Sequence, residues 1–288
     1  MKQRKQPAIM DQERELNTES IETVIAQGWA HLFEELYRGS WNAKIKRYRS
    51  PFVFRGANRR DSDLISGLSR LARGGNGAGR LENHLLRNFQ KYAGNEIGLS
   101  ESCWRCLPVA QHHGLPTRLL DWTFSPLVAL HFATANPHLY EEDGVVWCLD
   151  QLRSNQLLPK ELHDIAAKEG ADAFTAGMLE SVARSLAEFD ALAPEPFVLF
   201  LEPPSLDPRI ANQFALFSLI SSPEFQMSSW LTSHPELARR IIIPAGIKLE
   251  VRDKLDQAGI TERLLYPGPD GLAQWLARYY RPPLLPGD

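Results

Sequence analysis

From Ile21 to Tyr37 the apolar residues Ile21, Val24, Ile25, Trp29, Leu32, Phe33 and Leu36 recur at helical spacing, which predicts one amphipathic helix. Phe52, Val53 and Phe54 form a short strand-like run that stops at Arg55-Gly56. Leu81 to Tyr92 reads as a helix with Leu85, Leu86 and Phe89 turned inward and Glu82 close to its start. Ser125-Pro126 then opens a wholly apolar helix through Ala133, because serine caps a helix well and proline is pre-set for its first turn. Gly144 to Leu149, Phe197 to Leu201 and Ile241 to Ile243 are strand-like, while Leu158 to Leu192 is mostly helical. Arg209 to Ile220 is ambiguous in period, and its β-rich surroundings assign it to a strand. Ile247 to Ala258 predicts a helix, and a turn at Tyr266 to Gly271 leads into a last one through Trp275 and Tyr279. Strands and helices are mixed without regular alternation, so the expected class is α+β, a mixed sheet with helical insertions.

Residues 1 to 20 are polar and predict a flexible tail, leaving 21 to 288 as a single domain. Gly74 to Gly79 reads as a flexible connector, since no strand and no Gly-Lys-Ser/Thr ending accompany it as a phosphate loop requires. The basic start, Met1 to Gln6, has no apolar stretch behind it and does not read as a signal peptide. No apolar run is long enough to span a membrane, and three cysteines make a poor disulfide framework, so a soluble cytoplasmic chain is expected. A net charge of -3 offers no general field for nucleic acid or an anionic membrane, though Arg55, Arg59, Arg60, Arg70 and Arg73 could form a local basic patch.

Chemistry concentrates between Gln111 and Ser125. This stretch carries Gln111, His112, His113, Thr117, Arg118, Asp121, Trp122 and Ser125, too many polar groups to bury without partners. It reads as a loop clamped to the buried helix that follows, which is how binding sites are commonly built. The histidines suit either backbone pairing in the tight Gly-Leu-Pro turn or ligand contact. Arg118 and Asp121 suit either a mutual brace or a ligand. Arg55, followed by Gly56 at a strand end, presents a planar fork of donors that fits phosphate or carboxylate, or else a structural salt bridge. Cys103 and Cys106 are half of a zinc ligand set, but adjacent histidines make a poor second half, so no metal is expected and buried inert cysteines on a helix are preferred. A hydrolytic triad of Ser125 or Thr117 with a histidine and Asp121 lacks a nucleophile elbow.

Phe54-Arg55-Gly56, Glu82 with Phe89, Ala110 to Trp122, Ser125 to Ala133, Asp143 to Trp147, Arg209-Ile210 with Gln213 and Phe217, and Leu264 to Ala273 together resemble the FRG-domain proteins, over roughly residues 30 to 280. The layout is similar to that of ADP-ribosyltransferases, which carry an arginine or histidine on an early strand, a hydroxyl-bearing segment feeding an Ala-Leu-x-Phe-Ala helix, and a late strand bearing a glutamate carboxylate. The resemblance implies an NAD-dependent transferase acting on an unknown macromolecular acceptor, in a toxin or phage-defence setting. Arg55 would hold the pyrophosphate or ribose, and Gly56, Thr117, Asp121 and the histidines would shape the pocket. Gln213 stands where the carboxylate is wanted and cannot act as a base; Glu82, Glu202 or Glu224 are the replacements on offer. The alternative is a non-catalytic module that binds a nucleotide or a protein through the same pocket.

Overall fold

Strands that are apolar on both faces must be covered on both, and the runs at Gly144 and Ile241 accordingly sit inside the sheet. The structure, a computed structural model, describes residues 20–73, 77–94, 102–204 and 208–281. Among these residues the strands are β1 (Glu22–Ile25), β2 (Trp41–Asn42), β3 (Arg47–Tyr48), β4 (Phe52–Ala57), β5 (Leu120–Thr123), β6 (Gly144–Asp150), β7 (Val198–Leu201), β8 (Ala215–Ile220) and β9 (Ala238–Ile243). Seven of them form one sheet in the order β1-β9-β6-β4-β5-β8-β7, and β2 and β3 form a separate hairpin. Only β1 and β9 run parallel in the main sheet; every other pair is antiparallel. The class is α+β with a mixed sheet, as expected.

Register divides the core. On one face, Phe54, Val146, Cys148, Ile241 and Ile243 pack under the helices Trp29–Tyr37, Pro126–Thr134 and Lys248–Gln257. At the far end of that face, Phe217, Leu219, Leu199 and Leu201 lie under Cys103–His112, Ala176–Val182 and Leu186–Asp190. The opposite face carries Val53, Trp147, Ile242, Leu216 and Phe200 against Trp230 and Leu231 of Met227–Ser233, a helix that the periodicity does not signal.

Several expectations need correction. Ile21 to Tyr37 is not one helix, because Glu22–Ile25 pairs with β9 and only Trp29–Tyr37 is helical. Ala26 N–H donates to the Ile242 carbonyl at 2.9 Å, so ladder bonds override a helical period. β4 continues through Arg55-Gly56 rather than stopping there, since both pair with β6. Arg209 to Ile220 splits into the helix Pro208–Asn212 and β8, with Phe214 in a left-handed conformation (φ 47°) between them. The Gln111 to Ser125 stretch is not one loop: Gln111 and His112 end the helix Cys103–His112, and Leu120–Thr123 is β5. The expected tail lies outside the described residues except for its last position, and Gly74 to Asn76 of the expected connector lie outside them too.

A buried ionic chain ties the central helix to the C-terminal ones. Arg252 donates to His131 Nδ1 at 2.8 Å and pairs with Glu262 at 3.3 Å, while Arg278 pairs with Glu262 at 2.7 Å and Asp256 at 2.6 Å. Burial first, then the Arg252 charge, pushes the His131 imidazole from 6.5 to about 3, so the folded protein holds it neutral. Below the ordinary value the unfolded chain takes up a proton that the folded one refuses, and stability falls with pH. The unfolding free energy from urea titrations should decline below about pH 6, by up to about 1.4 kcal/mol per pH unit from this group. His131→Gln keeps an acceptor without a titration, so its decline from pH 6 to 4 should be shallower. Parallel profiles would mean that His131 is protonated in the fold.

Candidate functional site

β4 and β5 pair only where Phe54 faces Thr123. Beside that point a cleft of about 610 Å³ opens on the sheet face, a size suited to a small organic ligand. Its floor comes from Gly56, Asp121, Thr123, Ala215 and Phe217 on β4, β5 and β8. Its walls are the end of Cys103–His112 with His112, His113 and Gly114, the ring of Phe132, and Arg209 with Ile210 from Pro208–Asn212. Strands remote in sequence meet here because β4, β5 and β8 are consecutive neighbours in the sheet.

Asp121 is the one carboxylate among the described lining residues, and its side chain is 64% exposed. Arg55 donates to the Asp121 carbonyl and holds its guanidinium 3.8 Å from the Asp121 carboxylate. Burial lowers the Arg55 pKa, with Asp121 opposing and Arg70 adding to the fall, but a guanidinium stays charged at any physiological pH. Gln111 Nε2 reaches Asp121 at 3.3 Å from the other side. The carboxylate can only accept, so the amide turns its Nε2 to Asp121 and its Oε1 to the Thr117 hydroxyl, which donates to it at 2.6 Å and accepts from Leu119 N–H at 3.1 Å. One relay thus runs from the backbone through Thr117 and Gln111 to an open carboxylate. His112 and His113 stand edge to face at 5.4 Å between centroids, with Phe89 6.3 Å from His113.

Other residues singled out in the sequence serve elsewhere. Glu82 is 1% exposed and Arg118 3%, and they pair with each other away from the cleft, so neither is placed to meet a ligand there. Glu224 accepts from Gly79 N–H at 3.1 Å beside a second cavity, and Glu202 is likewise absent from the cleft lining. Trp122 borders the cleft, yet its residue is 3% exposed and its indole donates to Ser218 at 2.9 Å. The Ser125 hydroxyl is taken up as a helix cap, accepting from Val128 N–H at 3.3 Å. Gln213 borders the cleft and donates to the Leu265 carbonyl at 3.0 Å. Cys103 and Cys106 sit on a helix, and burial pushes the Cys103 thiol up to about 11, away from the reactive thiolate. Among the described residues no three His, Cys, Asp or Glu side chains are grouped to hold a metal.

The sequence reading gave Arg209 and Thr123 no role of their own. Thr123 donates to the Gln213 carbonyl at 2.7 Å and accepts from Ser125 N–H at 3.0 Å, which locks the strand exit at the cleft edge. Arg209 lies 4.9 Å over the Tyr266 ring. Phe214, between two cleft-lining residues, holds a bulky side chain 56% exposed at φ 47°, where glycine is ordinary. Phe214→Gly should therefore stabilise the protein by about 1 kcal/mol in thermal melts. An unchanged or lower midpoint would show that the ring makes a compensating contact.

Neither the curated proteins nor the solved structures contain a match to this chain. The family model of the FRG domain matches residues 50–142. That span is narrower than the resemblance drawn from the motifs. It includes Arg55, Gly56, Gln111 and Asp121 and stops short of Arg209 and Gln213. The half of the cleft built around the Asp121 relay thus lies inside the matched span, and the chain carries an FRG domain over residues 50–142.

Proposed function

We propose that the cleft binds NAD and that the protein transfers its ADP-ribose group to a macromolecule. One observation carries the reading: the arginine strand β4, the hydroxyl-bearing exit of β5 into Pro126–Thr134, and β8 entered from Gln213 are adjacent and border one cleft. They correspond to the three parts of the ADP-ribosyltransferase layout, with Gln213 standing where that layout has a carboxylate. Arg55 and Arg209 supply guanidinium forks for a pyrophosphate, the chemistry such groups serve best. Asp121, rather than Glu82, Glu202 or Glu224, supplies the carboxylate.

In this reaction the bond between ribose C1′ and the nicotinamide nitrogen breaks, and the departing ring keeps the electron pair as neutral nicotinamide. The cation left on the ribose is oxocarbenium-like, and a carboxylate beside it lowers its energy, as in glycoside hydrolysis. A hydroxyl or amine of the acceptor then attacks C1′, and its proton passes to Asp121. The relay through Gln111 and Thr117 holds that carboxylate in one orientation, which a reacting group needs.

Purified protein incubated with NAD and cell lysate should release nicotinamide and leave ADP-ribose on an acceptor, detected by mass spectrometry. Asp121→Asn should lower the rate by about a hundredfold or more, the usual effect of removing an acid–base group. Arg55→Ala should lose NAD binding while its thermal melt moves little. A second reading rests on Gln213, whose amide does not titrate and is engaged by Leu265. NAD binding without nicotinamide release would assign the cleft to a nucleotide-binding module, and no binding would overturn both readings.

A further inference from the structure

We propose that the β2–β3 hairpin is a binding site for single-stranded nucleic acid, independent of the cleft. Between Leu36 and Arg60 the sequence places eight arginines and lysines and no carboxylate, in a chain of net charge -3. The structure sorts these cations. Arg38 pairs with Glu22 and Glu35, Arg55 with Asp121, Arg59 with Glu142 and Arg60 with Asp143. Of the patch expected from Arg55, Arg59, Arg60, Arg70 and Arg73, the first three are therefore paired with the protein's own carboxylates. Lys44, Lys46, Arg47 and Arg49 are different: among the described residues none has a carboxylate partner. All four lie on or beside the hairpin.

The same hairpin carries two large rings. Trp41 and Tyr48 face each other across the ladder, so they share one side of the hairpin. They are 53% and 62% exposed, with centroids 5.2 Å apart at 65°. An edge-to-face pair uses one face of one ring and leaves the others open, and a base can stack on them. The platform is preformed. Asn42 Oδ1 accepts from Lys44 N–H at 3.1 Å and Ile45 N–H at 3.4 Å, and Arg49 N–H donates to the Ser40 carbonyl at 2.7 Å. Unpaired cations beside open aromatic faces are the chemistry that holds single strands: phosphates go to the cations and bases to the rings. A lipid surface asks instead for an apolar wedge, and Ile45 at the turn is a small one.

Fluorescence anisotropy with a fluorescein-labelled single strand of about 12 nucleotides tests this, as RNA and as DNA. Wild-type protein should bind with a log–log salt slope of about -3, set by four phosphate contacts. Trp41→Ala with Tyr48→Ala should weaken binding by about tenfold or more at an unchanged melting temperature. Lys44→Glu with Arg47→Glu should flatten the salt dependence. Asp121→Asn, which alters only the cleft, should bind the strand like wild type. No anisotropy change with wild-type protein, equal affinity in the aromatic variant, or tighter binding to phosphatidylserine vesicles or to duplex than to the single strand would overturn the proposal.

Discussion

Gly56→Ala is expected to unfold the protein or leave it insoluble. A Cβ at this position would lie 1.8 Å from the Ala129 carbonyl oxygen and 2.7 Å from Ala133 N, both backbone atoms of the helix Pro126–Thr134. No rotamer relieves a clash with backbone. β4 is held in place by its pairing with β6 along its whole length, Gly56 included, and by β5 at Phe54. The helix would have to lift away, opening a gap over Phe54 and breaking the contacts of Ala129, Leu130 and Ala133. Overpacking a core costs about 1–3 kcal/mol where side chains can adjust, and this site lies at or beyond the upper end. Total stability is commonly only about 5–15 kcal/mol. Gly246→Ala is the control, since nothing lies within 4 Å of its Cβ. Circular dichroism melts should separate the two, and a Gly56→Ala protein that melts with wild type would mean that the helix is not seated on β4.

This contact also explains the three-residue motif. Phe54 is fully buried in the core, Arg55 reaches the split between β4 and β5, and Gly56 lets a helix lie directly on the strand. Alternating faces give three neighbours three separate tasks.

Parts of the fold with strong local signals were legible. Ser125-Pro126 marks a helix start because both residues act within one turn, and Gly144 to Leu149 is apolar enough to allow only a central strand. β1 was not legible, because Val24 and Ile25 fit a helical stripe as well as a strand, and the choice is made by β9 more than 200 residues away. The break at Phe214 was hidden for a related reason: a left-handed phenylalanine carries none of the glycine signal that marks such turns. In the site, Gln111 and Asp121 belong to a stretch of polar groups too dense to be idle, while Arg55 stands out as a guanidinium beside Gly56, a place of close approach. Which acids and bases faced the cleft could not be read, since adjacent strand residues point to opposite faces and register sets which face is which. Glu82 did leave a trace. It precedes Leu86 by four residues and Phe89 by seven on one helix, so it lies on the apolar stripe, where a carboxylate needs a buried cation.

That cation is Arg118, and separating the pair should cost about 3–5 kcal/mol. Arg118 donates through Nε to both Glu82 oxygens at 2.9 Å, with Asp190 and the Ile220 carbonyl on its NH1. Burial opposes the Arg118 charge, but the Glu82 and Asp190 carboxylates more than offset it and raise the pKa above its ordinary value. Glu82→Gln keeps the shape and removes the charge, leaving a guanidinium 3% exposed with only Asp190 to balance it. Urea unfolding should show a loss of about 3 kcal/mol or more, whereas Asp121→Asn, at an exposed carboxylate, should stay within about 0.5 kcal/mol. Replacing both partners, Glu82→Leu with Arg118→Met, should recover much of the loss, because no buried charge is then left alone. The opposite pattern would reverse the assignments: a Glu82→Gln protein as stable as wild type but unable to release nicotinamide would make Glu82 the working carboxylate and Asp121 the bystander.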